Sequence, residues 1–311
     1  MMSSLPKSFV ISKPIQEAQR LGASIVALES AVITHGLPVP TNLELARDVE
    51  AIVRDHGANP ATIALLDGKI HIGLSDAQLE RLATLDSSRK ISLRDFGIAL
   101  AGGLSGGTTV AATLFAASQV GIRVFATGGI GGVHRGVPFD VSADLVQLGR
   151  SPVVVVCAGA KAILDLAATR EVLETRGVPV IGYQTDEFPA FYTRKSGLPV
   201  DLRVETPEEA AGIALRAWEA GLGSAMLLVV PPPEEAAMSP GVMETAIQQA
   251  LEEADVQGVS GAATTPFLLA RVSQLTGGES LQANLALLRQ NAQVAAQVAT
   301  AMNLMDKSIP I

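Results

Sequence analysis

Short apolar runs rich in β-branched residues alternate with amphipathic stretches along most of the chain. The runs SIVAL, ATIALLD, KIHIGL, FGIALA, IRVFAT, PVVVVCA, VPVIGY, DLRVE and SAMLLVV carry the signature of strands. Between them, TNLELARDVEAIVRDHG, SDAQLERLATL, TTVAATLFAASQ, KAILDLAATREVLETR and TPEEAAGIALRAWEAG repeat apolar positions at helical spacing. This alternation predicts an α/β fold. Strands apolar at nearly every position predict a large sheet buried on both faces, hence a single three-layer α/β/α domain over residues 1–311. Residues from about 239 to 304 read as mostly helical. Helix starts are marked where a hydroxyl is followed three residues later by a carboxylate or amide: Thr41 with Glu44, Ser75 with Gln78, and Thr206 with Glu209 behind Pro207. Residues 96–122 run for 27 positions without a charge, but twelve of them are Gly, Ser, Thr or Gln. Such a segment would expose backbone to lipid, so it predicts strand, glycine loop and buried helix, not a membrane span.

Composition narrows the function. Lys+Arg 23 against Asp+Glu 31 gives a net charge of −8 over 311 residues, which excludes the basic footprint of a nucleic-acid binder. With 48% hydrophobic and 17% charged residues the chain can fill a large core and is not disordered. Cys157 is the single cysteine, so no disulfide forms within the chain; inside an apolar run it reads as a small buried hydrophobe. The N-terminal stretch lacks a continuous apolar signal segment, and a cytoplasmic location is expected.

Several stretches can carry chemistry. GGLSGGTTVAAT (102–113) precedes a helix, where glycines let the backbone approach an anion and the helix start supplies free N–H groups. Thr108 stands where a nucleotide-binding loop needs lysine, which excludes an NTPase; a tight, close-packed turn is the competing reading. ATGGIGGVHRG (126–136) has His134 in place of the third dinucleotide-fingerprint glycine, and His134 with Arg135 can meet a phosphate or simply cap the loop. In FDVSADLVQLG, Ser142 would cap a short helix with Asp144 in its first turn; Asp140 and Asp144 together can also hold a hard divalent cation. In VVVVCAGAKAILD a strand ends at Cys157 and Lys161 stands at the expected start of a helix, where dipole and apolar surroundings both disfavour an ammonium. A neutral amine there is a nucleophile able to form a Schiff base; a lysine snorkelling to solvent or gripping phosphate is the other reading. Glu29 ends the strand SIVAL at the ligand edge of the sheet, where burial would raise its pKa into the range of a general acid, with His35 nearby. YQTDEFPAFY gathers Tyr183, Phe188, Phe191 and Tyr192, either a lid for a planar base or core packing.

At these residues the sequence resembles the pseudouridine-5′-phosphate glycosidase family, also called indigoidine synthase A-like. The likeness runs from about residue 10 to 303 through ALESAVITHGLPVPTN, GGTTVAAT, VFATGGIGGVHRG, DVSADL, VVCAGAKAILD, GYQTDEFPAFY and GESLQANLALLRQNA. The resemblance implies reversible cleavage of the C–C glycosidic bond of pseudouridine 5′-phosphate to uracil and ribose 5-phosphate, with a divalent metal, commonly manganese, in a homotrimer. It implies Lys161 as the Schiff-base lysine, Glu29 as proton donor and Asp140 as the Mn²⁺ ligand. Lys90, Val110, Ser142, Ala143 and Asp144 are implied as substrate contacts, and Asn284 as facing the base. Thr108, Thr109 and His134 join them as expected phosphate contacts. Neither nucleic acid nor membrane is an expected partner. A C-glycoside has no protonatable leaving heteroatom, so a two-carboxylate mechanism would expel a carbanion, and an iminium avoids this. An aldolase-type Schiff-base lyase and a catalytically silent binding protein are the alternatives.

Overall fold

The computed structural model describes residues 5–85, 88–136, 139–259, 261 and 264–308. Its strands are β1 (Phe9–Ile11), β2 (Ile25–Leu28), β3 (Asn59–Leu66), β4 (Lys69–Ile72), β5 (Arg89–Ile91), β6 (Gly106–Thr108), β7 (Val124–Ala126), β8 (Val133–His134), β9 (Val154–Cys157), β10 (Leu164–Asp165), β11 (Val180–Tyr183), β12 (Leu202–Val204) and β13 (Met226–Val229). Its helices are α1 (Lys13–Arg20), α2 (Thr41–Asp55), α3 (Asp76–Ala83), α4 (Phe96–Ala101), α5 (Val110–Gln119), α6 (Ala143–Leu148), α7 (Leu166–Thr175), α8 (Pro207–Glu219), α9 (Pro240–Val256), α10 (Thr264–Leu275) and α11 (Glu279–Ser308).

Among the described residues, eleven strands form one sheet in the order β1-β4-β3-β2-β7-β9-β13-β11-β12, with β6 pairing β3 and β5 pairing β6. From β3 to β12 along that order all pairings are parallel; the β3–β4 and β3–β6 pairings are antiparallel. Val154, Val155, Val156 and Cys157 are all fully buried, so β9 is covered on both faces, as the unbroken apolar run predicts. Helix α11 lies along β2, β7 and β9 and packs against α2 and α8, while α5 packs with α6. The α/β architecture and the helical C-terminal region are therefore as expected. No helix of the described residues is long and apolar enough to cross a membrane.

Three local expectations change. FGIALA is helix α4, not a strand, and the strand before α5 is the glycine pair itself in β6. Six consecutive apolar residues have no polar partner to reveal their period, and the turn Leu93–Asp95 ahead of them sets the helical path. Thr41 is the first residue inside α2, with Pro40 preceding it and no side-chain cap. By contrast Ser75 and Gln78 form the full reciprocal cap. Thr206 accepts from the Glu209 N–H, but the Glu209 carboxylate reaches one residue further back, to the Glu205 N–H.

Candidate active site

The parallel strands β2, β7 and β9 end side by side, and the residues just beyond them face one cavity. Glu29 follows β2, Gly128 and Gly129 lie two and three residues past β7, and Lys161 lies four residues past β9; Thr127, directly after β7, is buried and lines neither part of the cavity. The cavity has two compartments. The smaller, about 530 Å³, is lined by Val32, His35, Gly128, Gly129, Phe191, Pro266, Leu269, Asn284 and Leu288; the larger, about 1270 Å³, by Ser92, Arg94, Asp95, Thr109, Val110, His134, Ser142, Ala143 and Asp144, and both open to solvent. Glu29, Ala31, Lys90, Lys161 and Thr265 line both.

Lys161 is not at a helix start. Helix α7 begins five residues later at Leu166 and is capped by Asp165, whose carboxylate accepts from the Ala168 N–H at 2.9 Å. The helix-dipole part of the sequence argument therefore falls away. What holds Lys161 is backbone: its N–H donates to the Ile130 carbonyl at 3.1 Å, and Ile130 in turn donates to Gly159 at 3.0 Å. The turn after β9 is thus zipped to the glycine loop after β7. Among the described residues the Lys161 ammonium has no hydrogen bond or ion pair, so it is available to a ligand.

Glu29 behaves as its position predicts. Burial pushes its carboxyl above the usual carboxylate range, while the Lys161 ammonium and a hydrogen bond from the Thr127 hydroxyl oppose that rise. Lys90, on β5, is pulled below the usual lysine range by burial and by the neighbouring Lys161. His35 is also lowered by burial and by Lys90, which favours the neutral imidazole; its Nδ1 lies 2.7 Å from the Thr34 hydroxyl.

The glycine loops serve packing. A Cβ on Gly107 would stand 2.3 Å from the Thr34 hydroxyl and 2.6 Å from the Ser30 carbonyl, and one on Gly131 would stand 2.4 Å from Ser142 Oγ. Thr108 is fully buried, donating to the Ile63 carbonyl at 2.6 Å, and does not line the cavity, which corrects its expected role as a phosphate contact. Thr109 does line the larger compartment, capping α5 with Val110 as its first residue. Ser142 caps α6 and Asp144 sits in its first turn, as predicted. Both Asp144 oxygens accept backbone N–H groups, Oδ1 from Ala111 and Oδ2 from Gly131, each at 2.8 Å, so this carboxylate ties α5 to the glycine loop.

Arg135 is committed elsewhere: it pairs with Glu244 at 2.7 Å and donates to the carbonyls of Ala162 and Leu164. Sequence reasoning passed over Arg94, which lines the larger compartment with no carboxylate partner among the described residues. With Lys90 and Lys161 it brings three basic side chains to a lining that also holds Glu29, Asp95 and Asp144; Asp95 is paired with Arg89 and Asp144 with backbone N–H groups, so the basic groups are the ones left to meet an anion. Of the aromatic cluster, Phe191 alone reaches the cavity; Phe188 and Tyr192 are buried, Tyr192 in edge contact with Phe191 at 4.7 Å. Cys157 is buried and its thiol pushed up to about 12, an inert core residue.

For a metal, no three His, Cys, Asp or Glu side chains converge among the described residues. Asp140 adjoins Val141, which lines the larger compartment, and its backbone carbonyl accepts from the His134 N–H at 2.9 Å. One carboxylate suits a hard cation whose other ligands are water and substrate oxygens; it does not make a protein-only cage.

Residues 14–301 match the family described as indigoidine synthase A like protein. The chain is 54% identical over 299 residues to a pseudouridine-5′-phosphate glycosidase of Herpetosiphon aurantiacus, covering 94% of this chain and 97% of the relative. It is 52% identical to one of Caldanaerobacter subterraneus subsp. tengcongensis, covering 96% and 97%. Among solved structures it superposes on the prealnumycin C-glycosynthase AlnA in complex with ribulose 5-phosphate, with a TM-score of 0.90, 39% identity and coverage of 98% of this chain and 100% of the other. An indigoidine synthase A-like protein of Thermotoga maritima gives a TM-score of 0.88 at 37% identity, covering 96% and 98%.

Proposed function

The chain belongs to the indigoidine synthase A-like family, and from that premise we propose that it is a pseudouridine-5′-phosphate glycosidase, cleaving the C–C glycosidic bond reversibly to uracil and ribose 5-phosphate. The observation that carries this reading is the junction: one carboxyl, Glu29, and two amines, Lys90 and Lys161, line both a mostly apolar compartment that suits a planar base and one bearing the unpaired Arg94 that suits a sugar phosphate. A substrate with a base at one end and a phosphate at the other spans them with its glycosidic carbon at the junction. The ribulose 5-phosphate named for the AlnA complex supports sugar-phosphate occupancy of such a cavity.

In the proposed course Glu29 gives its proton to the ribose ring oxygen as the C1′–O bond breaks, and the Lys161 amine bonds to C1′. The bonded nitrogen passes a proton to the Glu29 carboxylate, and its freed lone pair forms the C1′=N iminium as the C1′–C5 bond breaks, the bonding pair going to uracil C5, which takes that proton from Glu29. Water adds to the iminium and releases ribose 5-phosphate, restoring the amine. Lys90 and Arg94 hold the phosphate, with Thr109 and Val110 at the start of α5 and Ser142 and Ala143 beside them. Asn284 and Phe191 face the base. Asp140 would hold a divalent cation, Mn²⁺ in this reading, whose charge offsets that of the substrate oxygens; a homotrimer completes the proposal.

Incubation with pseudouridine 5′-phosphate should release uracil and ribose 5-phosphate in equal amounts. Activity confined to a ketose or deoxyribose phosphate would favour an aldolase, and thermal stabilisation by the nucleotide without turnover would favour a binding protein. Sedimentation should give a trimer, and Asp140→Ala should remove the response to added Mn²⁺; a monomer, or an unchanged response, would sink those parts separately.

A further inference from the structure

The C-terminal helix reaches the acid through one intermediary. Asn291, on α11 and 1% exposed, donates its amide to the Thr127 carbonyl at 2.8 Å and to the Gly128 carbonyl at 3.4 Å. Its Oδ1 is buried without a hydrogen-bond partner, an expensive arrangement that invites an explanation. Thr127 is the first residue past β7, its N–H fixed by the Val156 carbonyl at 3.0 Å, and its hydroxyl donates to Glu29 Oε1. Asn291 itself does not line the cavity. Its hydrogen bonds both fall on carbonyls of the turn that carries the Thr127 hydroxyl.

We propose that Asn291 is a positioning residue for the acid, clamping the turn after β7 so that the Thr127 hydroxyl stays on the Glu29 carboxyl. This deepens, and rests on, the reading of Glu29 as proton donor. A donor on one oxygen stabilises the ionised carboxylate and leaves the other oxygen to carry the proton toward the substrate. Glu29 must lose and regain that proton each turnover, and burial works against the loss by raising its pKa. The other charged groups acting on Glu29 are Lys161 beyond β9, Lys90 on β5 and Asp144 on α6, and His35 from the turn after β2 lines the same compartment. Asn291 makes no hydrogen bond to any of these.

The test is a titration of the Glu29 carboxyl in the intact protein by infrared difference spectroscopy, assigned through Glu29→Gln, alongside pH profiles of turnover in both directions. Thr127→Val should move the titration upward by roughly one pH unit. With it should move the alkaline limb of cleavage, where Glu29 must be protonated, and the acid limb of synthesis, where it must be ionised. Thr127→Ser should restore the parent profile. Asn291→Ala, and Asn291→Ser should the alanine variant not fold, should shift both limbs in the same direction by less. Thr127→Val/Asn291→Ala should shift them no further than Thr127→Val alone. An unmoved titration in the Asn291 variants, or additive shifts in the double variant, would overturn the proposal. If the parent protein released no uracil, the activity assignment would fail while the infrared result would still decide the positioning.

Discussion

The two compartments that meet at Glu29, Lys90 and Lys161 are built by opposite means. The smaller is closed by side chains brought from far along the chain: Leu269 from α10, Asn284 and Leu288 from α11, Phe191 from the loop after β11. The larger is built by backbone and charge close to the sheet: the capped starts of α5 and α6, tied together through Asp144, and the cations Lys90 and Arg94. One suits an apolar, planar group; the other an anion. The difference teaches that neither compartment is the reactive site by itself. In the proposed reading reactivity belongs to the seam, where a carboxyl raised by burial meets the Lys161 amine.

Removing the seam should therefore cost more than damaging either side. Lys161→Ala should lower turnover by at least about 10⁴-fold with the melting temperature unchanged, since the proposed course has no other nucleophile; turnover within tenfold of the parent would dissolve the seam. Glu29→Gln should lower turnover by roughly 10²–10⁴-fold while ribose 5-phosphate affinity, measured by calorimetry, is kept. An equal loss of affinity would make Glu29 part of the larger compartment only. Arg94→Ala should raise KM for the phosphorylated substrate by about 10–100-fold with little change in kcat, the expected worth of a charge-assisted hydrogen bond. Arg135→Ala, already paired with Glu244, should change KM by less than about 3-fold, and equal effects would erase the distinction between the two arginines. Asn284→Ala should weaken uracil binding in the synthetic direction about fivefold and leave ribose 5-phosphate binding alone; a matching loss for the sugar phosphate would merge the compartments.

Much of the frame was legible because its signals are local. Glu29 sits where an apolar strand stops, and Ser142 precedes a helix with Asp144 in its first turn, so both could be placed from the letters. At Lys161 the expected helix start is displaced. The cap signal of α7 is Asp165, four residues on, and the intervening residues make a turn and a two-residue strand pairing β8. The glycine pairs left an anion loop and a close-packed turn both open, because the same small residue meets both needs and only the neighbours, here in close contact, show the packing. Arg94 and Arg135 are alike in sequence, and only the tertiary position of Glu244 separates the free one from the bound one. Thr127 and Asn291 lie 164 residues apart and meet through α11 crossing the strand ends, a contact no local pattern encodes.

The central claim is that the Lys161 amine bonds to the sugar. Incubating the folded protein with ribose 5-phosphate and Mn²⁺, reducing with borohydride and mapping the peptides by mass spectrometry reads this directly. The account predicts one ribose-phosphate adduct, on the peptide bearing Lys161, formed less as uracil is added to compete for the iminium. An adduct confined to Lys90, or none at all on protein that still releases uracil from pseudouridine 5′-phosphate, would contradict it.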